Sequence, residues 1–132
     1  MRFCSIASGS SGNCIYVGSD NAHVLVDIGI SGKKMEAGLN SLELTGRDLD
    51  GILITHEHSD HIKGVGVIAR KYGIPIYATG GTVDAMLRTG SLGKLPEGIF
   101  REIKEDNPFM IKDLKINPFN IPHDAAQPVG YR

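Results

Sequence analysis

At 132 residues and a formal net charge of −1, the chain has room for one domain with a modest core. It lacks the excess positive charge by which a protein grips DNA through charge alone. Hydrophobic residues make up 41% and charged residues 22%, the proportions of a soluble globular protein. No window approaches the roughly 20 apolar residues of a membrane span. The opening MRFCSIASGSSGN has no apolar stretch of signal-peptide length, so the expected compartment is the cytoplasm and no membrane partner is expected. Cys4 and Cys14 have no CxxC spacing, which in that compartment predicts two reduced structural thiols.

In chain order, RFCSI (2–6), CIYVGS (14–19) and HVLVDIG (23–29) are short segments rich in apolar and β-branched residues, separated by SGSSGN and DN. They read as consecutive antiparallel strands joined by turns. Ser31 is a candidate N-cap for a helix over 31–42, whose Met35, Leu39 and Leu42 recur at i, i+4 and i+7. Gly51 to Thr55 is a continuous apolar run, the pattern of a central strand covered on both faces. A helix is predicted from Ile62 to Tyr72, ending at Gly73. Then come a strand at IPIYAT (74–79) and a short helix from Thr82 to Thr89, stopped by Gly90. IFREI, FMI and LKINPFNI read as late strands, the last two forming a hairpin across Lys112–Asp113. A strand meander followed by alternation with helices is α/β character with a mixed sheet.

The run ILITHEHSDH at 52–61 holds three of the five histidines. His56 and His58 lie two apart just past a strand, where residues i and i+2 point to the same side. Both imidazoles can therefore converge on one point, and Asp60 and His61, at the turn before a helix, can face a second point close by. Imidazole with carboxylate suits zinc, iron or manganese. The plain alternative is a solvated turn in which Asp60 caps the following helix, and it gives no reason for the HxHxDH spacing. Glu57 alternates away from both histidines and reads as facing solvent or pairing outward.

THEHSDH resembles the HxHxDH signature of the metallo-β-lactamase superfamily, metal-dependent hydrolases with an αββα sandwich. VLVDIG (24–29) resembles its upstream strand-end Asp, here Asp27, and NIPHDA (120–125) its next single-histidine motif, here His123. FCSIASGSSGNCIYV and DGILITHEHSDHIKG resemble the bacterial YycJ-type (WalJ-type) branch, regarded as metal-dependent exonucleases or uncharacterised hydrolases. The resemblance implies one ion on His56, His58 and His123, and a second on Asp60 and His61. Asp60 would bind that second ion or orient the attacking water, and Asp27 would accept a hydrogen bond from a ligand histidine. Zinc is the first choice of metal, with manganese or iron as alternatives, and nucleic acid is the implied substrate. A complete member adds a second αβ half with a bridging Asp and a last His. No His follows His123 here and no Asp follows Asp124, so residues 1–132 are expected to be the N-terminal half of such a sandwich.

That departure leaves two functions to weigh: a hydrolase that is complete only in a longer protein, or a non-catalytic metal-binding half that self-associates. The inner side of the strands at CIYV, HVLVDI and GILIT is expected to stand bare without the second half, favouring a homo-oligomer or a separate C-terminal partner. SGSSGN could present N–H groups to a phosphate but reads more simply as a hairpin loop. His23 reads as a surface histidine, and Lys33–Lys34 and Arg70–Lys71 as solvated helix charges. Asp124 could hold His123 or cap a turn.

Overall fold

The computed structural model describes residues 1–90, 92–122 and 125–132. The chain opens as predicted, with three antiparallel strands: β1 (Arg2–Ala7), β2 (Cys14–Gly18) and β3 (His23–Val26). Ser31 caps α1 (Gly32–Ser41), its side chain accepting the Lys34 N–H at 3.3 Å. A 3₁₀ turn at Gly46–Asp48, closed by a capping box between Thr45 and Asp48, leads into β4 (Gly51–Leu53). There follow α2 (Ser59–Ile62), α3 (Val65–Tyr72), β5 (Ile76–Thr79), α4 (Gly80–Thr89) and β6 (Phe100–Ile103). The last strands are β7 (Phe109–Ile111), β8 (Leu114–Ile116), β9 (Pro118–Asn120) and β10 (Val129–Tyr131).

β1 to β6 form one sheet in sequence order. The first three strands are antiparallel, and β3 to β6 run parallel through helical connections. One rung crosses most of the sheet: Tyr16 pairs with Leu25, Leu25 with Ile52, and Ile52 with Ile76. All four side chains are fully buried and share a core with Met35 and Leu39 of α1, Ile68 and Ala69 of α3, and Met86 of α4. The helices therefore lie on one face of the sheet. Alternate residues point the other way, where Val24 and Leu53 pack with Ile111, Leu114 and Ile116 of the β7–β8 hairpin.

The expected bare inner side is thus partly covered, since the hairpin buries Val24 and Leu53. What stays open is an apolar groove of about 140 Å³, lined by Phe3, Val17, Val26, Leu114 and Tyr131 among others. Phe3 is 74% exposed there.

The largest differences from the sequence reading concern one helix and the late strands. The helix expected over 62–72 begins only at Val65, after a separate short helix at Ser59–Ile62, because Gly64 leaves the ladder, its N–H bonding Ile28 O at 2.7 Å. A Cβ on Gly64 would lie 2.3 Å from Ile30 O, so only glycine allows that contact. The single strand expected over 114–121 is divided at Asn117–Pro118. Asn117 exchanges both backbone hydrogen bonds with Arg132, and β9 pairs with β10, a strand the sequence did not announce. Among the described residues, no helix is long and apolar enough to cross a membrane.

Candidate metal centre

Two parallel strands that end in register deliver their next residues side by side. Val26 faces Leu53 in the last rung between β3 and β4. Asp27 then turns away at φ +63°, a left-handed conformation that a short polar side chain tolerates, with its N–H on Leu53 O at 2.7 Å. The turn sets its carboxylate beside the exit of β4. Oδ1 accepts the Thr55 N–H at 2.8 Å, and Oδ2 accepts the Thr55 hydroxyl at 2.7 Å. Oδ2 also lies 2.6 Å from His61 Nδ1. Asp27 is only 3% exposed, so these donors take the place of water around a buried carboxylate.

The short α2 brings Asp60 and His61 back over this point. Ile28 N–H bonds His61 O at 2.9 Å, and Asn13 N–H bonds Asp60 O at 2.8 Å. The Asp60 backbone lies so close to Gly29 that a Cβ there would stand 1.7 Å from Asp60 O. Gly29 N–H in turn bonds Asn13 O at 2.8 Å, which ties the β1–β2 loop to the same corner. SGSSGN is therefore a hairpin loop whose last residue reaches the site. Asn13 Nδ2 lies 3.3 Å from both Asp60 Oδ2 and His61 Nε2.

The imidazoles cluster around this support. The His56 ring lies 4.0 Å from that of His61 and 4.7 Å, edge-on, from that of His58, centroid to centroid. His56 is 3% exposed, and its Nδ1 is 2.9 Å from the Thr55 hydroxyl. Asp60 Oδ2 is 3.5 Å from His61 Nε2. The structure thus gathers Asp27, His56, His58, Asp60 and His61 at one corner of the sheet. Among the described residues no three ligand-type groups are drawn in closely enough to hold an ion by themselves. His123 and Asp124 lie outside the described residues. Glu57 Oε2 accepts the Ala126 N–H at 3.0 Å.

The electrostatics follow from burial. Burial raises the Asp27 carboxyl above its ordinary range, and hydrogen bonds from His61 and Thr55 pull it back only in part. For His61, burial works against the imidazolium, but the hydrogen bond and negative charge of Asp27, with Asp60 adding, outweigh it and raise the pKa. Cys14, buried behind Asp27, has its thiol pushed up to about 12 by burial first and by that negative charge second. Cys4 and Cys14 are both free thiols, and at Cys14 this shift keeps the group neutral and structural, as the sequence suggested.

Two residues of this corner escaped the sequence reading. Thr55 passed as the end of an apolar run, and Asn13 as a turn residue. A hydroxyl directly before the first histidine was the available signal for Thr55. Asn13 gave none, because its contacts span 47 and 48 positions.

The fold is α/β, a mixed sheet with helices on one face and a histidine–aspartate cluster where β3 and β4 end. The profile of the Metallo-beta-lactamase superfamily matches residues 7–126, and the chain belongs to that superfamily. Within it the chain resembles the YycJ/WalJ branch. It is 43% identical to exodeoxyribonuclease YycJ of Bacillus anthracis, over 99% of this chain and 49% of that protein. It is 44% identical to exodeoxyribonuclease WalJ of Streptococcus pneumoniae serotype 2, over 100% of this chain and 49% of that one. Among solved structures, Rm3 metallo-beta-lactamase superposes with a TM-score of 0.79 at 21% identity, covering 98% of this chain and 52% of that chain. The chain spans about half the length of the curated relatives it matches.

Proposed function

We propose that the chain supplies the histidine-rich part of the metal centre of a hydrolase acting on the phosphodiester bonds of nucleic acid. The observation that carries this reading is one buried carboxylate, Asp27, set against Thr55 and His61 where β4 ends, orienting a cluster of imidazoles. Structural packing alone does not call for three histidines around a buried acid. The donor set fits a divalent transition ion, zinc first and manganese or iron as alternatives. His56, His58 and His123 would hold one ion, and Asp60 with His61 would contribute to a second. When bound, such an ion lowers the pKa of a coordinated water from 15.7 to about 7 and polarises a phosphoryl oxygen.

The chain's own residues supply orientation. Asp27 accepts from His61 Nδ1, which leaves the lone pair of that ring on Nε2. Asn13 holds the Asp60 carboxylate at the rim, where it can take a proton from a water or align it. The nucleic-acid substrate is supported by the exodeoxyribonuclease names of the relatives. Their length supports the further proposal that residues 1–132 are one half of the working sandwich.

The test has two arms. Zinc or cobalt titration should show binding that falls sharply in His56→Ala and His58→Ala. The protein in its natural length should then release nucleotides from DNA in a metal-dependent manner. Binding of the ion with no cleavage of DNA or RNA would overturn the hydrolase reading.

The open groove beside Phe3 favours a second reading, a metal-binding half that pairs with another copy across this face. Sedimentation of the 132-residue chain at micromolar concentration should then show a dimer. A compact monomer with a cooperative melt would remove that reading.

A further inference from the structure

We propose that Thr55 is a positioning residue that fixes the tautomer of His56 and ties the two proposed metal positions to the single carboxylate of Asp27. The argument is a count of protons. Asp27 Oδ1 accepts the backbone N–H of Thr55 at 2.8 Å, and Oδ2 faces both the Thr55 hydroxyl at 2.7 Å and His61 Nδ1 at 2.6 Å. A carboxylate surrounded by three donors acts as acceptor toward all of them. The hydroxyl has one proton and gives it to Oδ2. Its remaining capacity is to accept, and two ring nitrogens are within reach: His61 Nδ1 at 3.4 Å, whose proton is directed to Asp27 Oδ2 at 2.6 Å, and His56 Nδ1, nearer at 2.9 Å. His56 therefore carries its proton on Nδ1 and its lone pair on Nε2. His61, donating from Nδ1 directly to the same oxygen, has the same tautomer. One buried oxygen thus sets two imidazoles, His61 directly and His56 through Thr55, although the proposed function places these rings in different metal sites.

This inference rests on the metal reading for its consequence and on hydrogen-bond geometry for its core, so the two can fail separately. The tautomers are read by long-range ¹H–¹⁵N correlation spectra of the wild-type protein in chelator, with no metal and no variant required. At a pH high enough for both rings to be neutral, the expected result is a proton on Nδ1 and none on Nε2 in both His56 and His61. A neutral His56 ring with its proton on Nε2 would overturn the proposal whatever the protein does with metal.

Thr55→Val keeps the shape and removes the hydroxyl, whereas Thr55→Ser keeps the hydroxyl. In Thr55→Val the His56 spectrum should shift toward the Nε2–H tautomer while that of His61 stays unchanged, a split that general unfolding cannot produce. Zinc affinity should fall about 10- to 100-fold in Thr55→Val and return in Thr55→Ser. Zinc binding by folded Thr55→Val within twofold of wild type would overturn the positioning role. Absence of zinc binding by the wild type would overturn the proposed function instead, leaving the tautomer measurement to decide the role of Thr55.

Discussion

The strands of the central sheet carry histidine, acid and hydroxyl groups at both ends, and the two ends differ in kind. At the exit of β3 and β4, Asp27 is buried and takes three donors from Thr55 and His61. At the opposite end, the Tyr16 hydroxyl lies 2.6 Å from His23 Nδ1, and Asp50 accepts the His23 N–H at 2.9 Å. Lys112 pairs with Asp50 at 2.9 Å, and Ser19 donates to the exposed Asp113. His23, expected at the surface, is in fact half-buried with its ring stacked on Tyr16. Yet Asp50 there meets a lysine, and Asp113 accepts from Ser19 near solvent. The residue types are similar at both ends. What distinguishes the site is convergence of imidazoles on a carboxylate withdrawn from water, where hydrogen bonds are stronger and an unpaired group is costly.

Removing the acid should separate the two ends most clearly. Asp27→Ala leaves the Thr55 N–H and the His61 Nδ1–H without their acceptor. At about 1–3 kcal/mol for each buried group left unsatisfied, a loss on the order of 3 kcal/mol is expected, with metal binding lost as well. Urea denaturation and zinc titration measure the two effects. A variant as stable as wild type would mean that Asp27 resembles the acids at the other end.

A smaller effect is expected from Tyr16→Phe, which removes one hydroxyl and leaves the ring in the core. The hydrogen bond to His23 is lost, for a cost of about 0.5–1.5 kcal/mol. Zinc affinity should stay at the wild-type value, because the change lies at the far end of the sheet. A fall in affinity would show that the two ends are coupled.

The smallest expected effect is a difference of sign with pH, measured in chelator. The folded pKa of His61 is raised, the hydrogen bond and charge of Asp27 overcoming burial. Its contribution is therefore full below the ordinary value of 6.5 and lost as pH rises through the folded value. Asp113 is shifted down by the hydrogen bond from Ser19. Its contribution is full above its ordinary 3.8 and lost as pH falls through the folded value. Urea midpoints against pH should thus fall on both sides. His61→Gln should flatten the alkaline arm and Asp113→Asn the acid arm. If either substitution flattens the opposite arm, the assignment of the two ends is reversed.

Much of this molecule is written locally. The opening meander, the Ser31 cap, the helix stop at Gly73 and the central strand before His56 all follow from short-range pattern, because turns, caps and strand alternation are set by residues a few positions apart. The HxHxDH run is legible for the same reason: one strand end and one short turn carry all four groups. The tertiary structure decided the rest. Asp27 pairs with His61 across 34 positions and with Thr55 across 28, and Asn13 reaches Asp60 across 47. The late start of the helix expected over 62–72 depends on a carbonyl of Ile28, and β9 exists because β10 returns to pair with it. A hydroxyl such as that of Thr55 looks the same in sequence whether it faces water or a buried carboxylate. Only the register of β3 against β4 sets which one it meets.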